Sequence, residues 1–213
     1  MRHNNLNKMI KISLLSVMAF ILMFFELSIP IFPEFLKIDI SDLPALLGAF
    51  ALGPIEGIGI ELFKNILKVI FKGTATGFVG EFANFIVGAV LVVVAGYIYK
   101  RKKSRKTAIL GLIVGSVVMS VVAAVLNYTV FLPLFAVAFK APIEAFVAAG
   151  TKVNSHIHSL KDLVMWSILP FNLLKGVIVS TITLVMYKSV SPILHKEEVL
   201  HQNGNVTPIK NER

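Results

Sequence analysis

The chain has no cysteine, so disulfides, thiolate metal sites and cysteine nucleophiles are excluded. Acidic residues are scarce: twelve Asp and Glu stand against 21 Lys and Arg, and all charged residues together make up 15% of the sequence. There is no Gly-x-x-x-x-Gly-Lys-Ser/Thr, so the chain cannot hydrolyse ATP by the P-loop route. It has no Gly-x-Ser-x-Gly and no His-Glu-x-x-His, which leaves an enzyme reading without a nucleophile or a metal centre. No internal repeat is visible, so the inverted-repeat design of many secondary transporters has no support here.

What is present is apolar. Hydrophobic residues are 56% of the chain and arrive in runs near twenty, separated by short polar joints. This pattern overrides a length that would otherwise suit one soluble domain, and predicts an all-α membrane protein. The net charge of +9 does not point to nucleic acid, because the basic residues cluster in joints and tails. Arg2 to Lys11 followed by an apolar stretch resembles a signal peptide, but the apolar part runs on to Ile29 with no small-residue cleavage site before Pro30.

Six transmembrane helices are expected: about Lys11 to Ser28, Leu43 to Leu52, Ile55 to Phe71, Glu81 to Tyr99, Thr107 to Phe135 with a bend at Pro133, and Asp162 to Tyr187. The second is short, and Gly53-Pro54 separates it from the third; the two are either separate spans or a re-entrant pair. Asp42 or Ser41 is a candidate cap for the second helix. The loop from Lys140 to Lys161 is read as outside. The run Lys100-Arg101-Lys102-Lys103-Ser104-Arg105-Lys106 and the basic flank Arg2, Lys8 and Lys11 place both termini in the cytoplasm. Residues 1–190 form the membrane domain, and 191–213 a polar tail expected to be disordered.

Lys175 dominates the search for chemistry. It lies about a dozen residues from either end of its apolar run, roughly 18 Å at 1.5 Å per residue, too deep to snorkel easily. It needs a partner, a cavity or a ligand. Among carboxylates within the spans, Glu26, Glu56, Glu61 and Glu81, Glu61 is the first candidate partner, although Lys64 lies nearer to it. Asn172 shares the helix face of Lys175, and Pro170 loosens the backbone beside both. Asn127 is a second carboxamide at depth, read either as interhelical glue or as part of a polar pocket. Gly111, Gly115, Ser116 and Ser120 make a small-residue packing face. Ser13, Ser16 and Ala19 make another, for helix packing or for docking a partner protein. His156 and His158 lie in a loop without a ligand triad and read as solvated.

Several short motifs occur in order over residues 8–189: Phe35-Leu36-Lys37-Ile38-Asp39-Ile40-Ser41-Asp42-Leu43-Pro44, Phe50 to Pro54, Leu62-Phe63-Lys64-Asn65, Gly80 to Phe85, Leu126-Asn127-Tyr128, and Pro170-Phe171-Asn172-Leu173-Leu174-Lys175-Gly176. Through them the chain resembles the substrate-binding (S) components of energy-coupling factor vitamin transporters, most closely the riboflavin-specific ones. The resemblance implies a six-helix protein of the bacterial cytoplasmic membrane, with no cofactor of its own. Such a protein binds riboflavin from outside and works with a transmembrane coupling protein and two ATPase subunits. It implies that Asn127, Asn172 and Lys175 hold the flavin ring, and that Leu36, Lys37, Ile38 and Asp39 of the first loop close around it with Asn84. It implies a docking face near Ser13, Ser16 and Ala19. The alternatives are a stand-alone ion- or proton-coupled carrier using Lys175 and Glu61, and an S component for flavin mononucleotide, whose phosphate Lys37 would meet.

Overall fold

A computed structural model describes the backbone of residues 2–203 and the side chains of residues 6–187. Among these residues the chain forms seven helices and one short hairpin. The helices are α1 (Arg2–Leu22), α2 (Asp42–Ala51), α3 (Pro54–Lys72), α4 (Val79–Arg101), α5 (Arg105–Phe139), α6 (Ile143–Thr151) and α7 (residues 160–203). β1 (Leu27–Ser28) pairs antiparallel with β2 (Lys37–Ile38).

Three departures from expectation have physical causes. The expected six helices become seven, because the loop from Lys140 to Lys161 contains α6, started after Pro142 and stopped beyond Gly150. The first helix begins earlier and ends at Leu22, so Leu27 and Ser28 are free to pair with β2. The last helix continues to Asn203, and the end of the polar tail expected to be disordered, 204–213, lies outside the described residues.

Helices α4, α5 and residues Leu160–Tyr187 of α7 are each long and apolar enough to cross a membrane. Their outward faces carry large exposed side chains such as Ile113, Val117, Val121, Val177 and Val185, a surface suited to lipid. α2 is different: ten residues reach only about 15 Å, half of a hydrocarbon core about 30 Å thick. Its first residue, Asp42, is therefore carried inward from the loop side. Gly53, at φ 131°, turns the chain, and Pro54 opens α3 where its missing N–H is harmless.

The helices pack through small residues. A Cβ on Gly111 of α5 would lie 2.8 Å from the Ala95 carbonyl oxygen of α4. Gly176 of α7 sits against Ser116 of α5, and the Ser116 and Ser180 hydroxyls meet at 3.1 Å. The small-residue face read from Gly111 to Ser120 is thus a packing face, as expected. At one end of the bundle, the Tyr99 and Tyr187 hydroxyls bond at 2.9 Å beside Phe50, and Lys8 pairs with Glu56. The N-termini of α1 and α3 therefore share an end with the basic α4–α5 turn. That turn is a capping box, in which Ser104 and Thr107 bond reciprocally and start α5.

Gly111→Ala should lower the melting temperature in detergent, by an amount corresponding to about 1–3 kcal/mol of overpacking, because the obstruction is backbone. Gly59→Ala, whose Cβ enters open space, should be neutral or mildly stabilising. Equal melting temperatures for the two variants would contradict this packing.

Candidate functional site

The centre of the molecule is a buried cluster of charge. Lys175 of α7 lies 3.0 Å from Oδ2 of Asp42 and 3.6 Å from Oδ2 of Asp39. The other Asp42 oxygen lies 2.5 Å from Nζ of Lys64. Lys64 also donates to Ser41 Oγ at 2.9 Å and pairs with Glu61 at 2.7 Å. Asp42, Glu61 and Lys64 are wholly buried, and Lys175 nearly so. One carboxylate thus takes one ammonium on each of its oxygens, from two helices far apart in the sequence.

Local sequence explains each position. On α3, Glu61, Lys64, Asn65 and Lys68 recur at helical spacing and make one polar stripe facing inward. Gly88 of α4 leaves the room: a Cβ there would lie 2.5 Å from Glu61 Oε2 and 3.2 Å from Asp42 Oδ1. Asp39 accepts the Ser41 N–H at 2.8 Å, a turn contact that fixes its carboxylate just ahead of α2. Each charge alone at this depth costs about 3 kcal/mol on insertion scales. Removing one partner from such a pair costs about 3–5 kcal/mol, so the members hold one another in place.

Two expectations are corrected here. The partner of Lys175 is not Glu61 but Asp42, with Asp39 second, because Glu61 is held by Lys64 three residues along its own helix. Ser41 occupies the cap position of α2, but neither it nor Asp42 caps through its side chain; both side chains turn to Lys64 instead. Asp42 and Lys64 are the residues that sequence reasoning left out of the site. The inward stripe on α3 was the available signal.

The two asparagines sit beside matching irregularities. α5 opens into a π-helical turn at Asn127–Phe131, and α7 does so at Val164–Ile168. Each turn is followed by one leucine and then a proline, Pro133 or Pro170, which cannot donate to the preceding turn. The two turns pack against each other. Asn127 Nδ2 donates to the Ala123 carbonyl and Asn172 Nδ2 to that of Ile168, both at 2.8 Å. Each side chain thereby keeps one N–H and its carbonyl oxygen for another partner. Asn172 is buried, and Asn127 half-buried.

The first loop folds over this region. Leu36 is half-buried between two apolar clusters, one with Ile157, Leu163 and Ile168, the other with Phe32, Ile38 and Phe171. Phe32 meets Phe171 edge-on at 5.4 Å, and Phe35 meets Phe146 of α6 at 5.7 Å. Ile38 and Asp39 point inward, whereas Lys37 is exposed, 3.4 Å from Glu26. Glu26 also pairs with Lys72 at 3.1 Å and so ties the hairpin to the end of α3. Asn84 is half-buried and accepts from Asn65 Nδ2 at 3.4 Å. That same amide donates to the Glu61 carbonyl, which links Asn84 to the charged cluster.

The α1 residues divide. Ser16 and Ala19 are buried within the chain, Ala19 in the main apolar core. Ser13 is exposed, beside the exposed Leu14 and Val17.

Residues 7–187 match the family model of the substrate-specific component of ECF transporters. The chain is 38% identical to the riboflavin transporter RibU of Staphylococcus aureus, over 89% of this chain and 93% of that protein. It is 31% identical to the riboflavin transporter FmnP of Bacillus subtilis, over 91% and 97%. A solved structure of the S component of a bacterial ECF transporter superimposes with a TM-score of 0.70 at 36% identity, covering 89% of this chain and 98% of that one. The chain that carries this buried charge cluster belongs to the family of substrate-specific components of ECF transporters.

Proposed function

We propose that this protein is the riboflavin-binding component of an ATP-driven vitamin importer of the bacterial cytoplasmic membrane. In this reading both termini and the basic α4–α5 turn face the cytoplasm, and the first loop faces outside. It is supported by Asn172 and Lys175 on one helix face of α7, by Asn127 on the π turn of α5 that packs against the π turn of α7, and by the similarity of the chain to riboflavin transporters.

The chemistry fits a flavin. The pyrimidine edge of the isoalloxazine ring presents acceptor, donor, acceptor. An asparagine with one N–H and its oxygen available pairs with a ring carbonyl and the ring N–H together. Lys175 has three donors and is paired with Asp42 at 3.0 Å, and it gives an N–H to the remaining carbonyl or ring nitrogen. The apolar residues Phe32, Leu36, Ile38 and Phe171 offer the wall that the dimethylbenzene end of the ring needs. Leu36 to Asp39 close the outer side, and Asn84 flanks it. Ser13 and the exposed apolar residues around it on α1 form the surface that meets a transmembrane coupling protein. Two ATPase subunits supply the energy for which this sequence has no P-loop.

Purified protein should quench the fluorescence of added riboflavin at a one-to-one ratio. Replacing Asn127, Asn172 and Lys175 together by leucine should weaken that binding by at least about a hundredfold, since each lost hydrogen bond to a charged or buried group is worth about 1–3 kcal/mol. Undiminished binding by the triple variant would remove the site assignment. In liposomes, the chain alone under a pH gradient should not accumulate riboflavin, and accumulation without ATPase partners would favour a proton-coupled carrier.

A further inference from the structure

The Asp42–Lys64 pair has no place yet in the proposed binding reaction. It is far from a routine surface contact: both residues are wholly buried, and they join α2 to α3. Asp42 presents opposite oxygens to two ammonium groups, Lys64 at 2.5 Å and Lys175 at 3.0 Å. Lys64 is itself fixed from two further sides by Ser41 Oγ and Glu61. Asp42 is therefore anchored before Lys175 reaches it. Asp39, the other carboxylate near Lys175, stands farther off at 3.6 Å.

We propose that Asp42, anchored by Lys64, is a positioning residue that fixes the place from which Lys175 offers its N–H groups to the ligand. The inference rests on the reading of Lys175 as a flavin contact. An unanchored lysine has four side-chain rotors and points wherever the best acceptor lies. Here a fixed carboxylate on α2 holds the ammonium in an ion pair at 3.0 Å, which restricts where Nζ can sit. The ligand meets a donor already in place, and the ordering cost of that side chain is met on folding rather than on binding. Gly88 adds a further condition, because a methyl group there would press on both Glu61 and Asp42.

A double-mutant cycle decides the matter, read as riboflavin dissociation constants of full-length protein in detergent or nanodiscs. Asp42→Asn in the wild-type background should weaken binding by about tenfold or more, and Lys175→Met should weaken it by itself. In the Lys175→Met background, Asp42→Asn should change affinity by less than about twofold, because the residue acts through the lysine. That double variant removes one charge of each sign and serves as the better-folded reference. Asp42→Glu keeps the charge but shifts the carboxylate. If Asp42→Asn does not fold, Asp42→Glu takes its place, with a smaller loss that again vanishes in the Lys175→Met background. Gly88→Ala should weaken binding in the presence of Lys175 and leave the Lys175→Met protein unchanged.

Equal losses in both backgrounds would overturn the inference and make Asp42 a general support of the fold. So would an Asp42→Asn protein with undiminished affinity while Lys175→Met binds weakly. In both of those cases the flavin reading of Lys175 stands. Wild-type affinity in Lys175→Met removes that reading itself, and this inference with it.

Discussion

Two ammonium groups share one carboxylate, Asp42, in the middle of an apolar bundle, and the rest of the structure is arranged around that contact. It joins α2, α3 and α7 at a depth where charge is tolerated only in company. α2 is short because its first residue has to reach that depth. The end of the first loop delivers Asp39 to it, just ahead of Asp42. Gly88 lacks a side chain because the carboxylates occupy its space. Replacing the whole cluster by apolar residues would cost the fold little in principle. In the proposed reading, what the cluster supplies is a buried lysine held in place for the ligand.

The backbone irregularities belong to the same logic. A straight helix satisfies every interior carbonyl and offers few directions for a side chain. The π turns before Pro133 and Pro170 insert an extra residue into each helix, and the two openings face each other. Asn127 begins one of them, and Asn172 follows the other by one turn. Irregular backbone at membrane depth survives only where protein encloses it, and the contact between α5 and α7 provides that enclosure. Small residues at Gly111, Ser116 and Gly176 bring these helices and α4 close enough to do so.

Much of this was legible in the sequence for reasons that are local. Apolar runs marked the long helices, Pro133 and Pro170 marked a bent or loosened backbone, and small residues at helical spacing marked the packing face. Lys175 announced itself by its distance from both ends of its helix. Its partner did not, because Asp42 lies at a helix start, where a cap is the commoner role, and its contacts to Lys64 and Lys175 are long-range. α6 was hidden for the opposite reason. Ile143–Thr151 is too short and too weakly patterned to stand out from a loop, and it is ordered by packing on its neighbours, Phe146 against Phe35 among them. The division of Ser13 from Ser16 and Ala19 was likewise a question of which way α1 faces, and only packing answers it.

In the proposed reading, the buried lysine is held in place by protein and completed by a flat ligand. The most direct measurement is an experimental structure of the protein with riboflavin bound. It should place the pyrimidine edge within hydrogen-bonding distance of Asn127, Asn172 and Lys175, with the Lys175–Asp42 contact retained. A flavin bound elsewhere, or a Lys175 turned wholly to the aspartates and away from the ligand, would contradict the account.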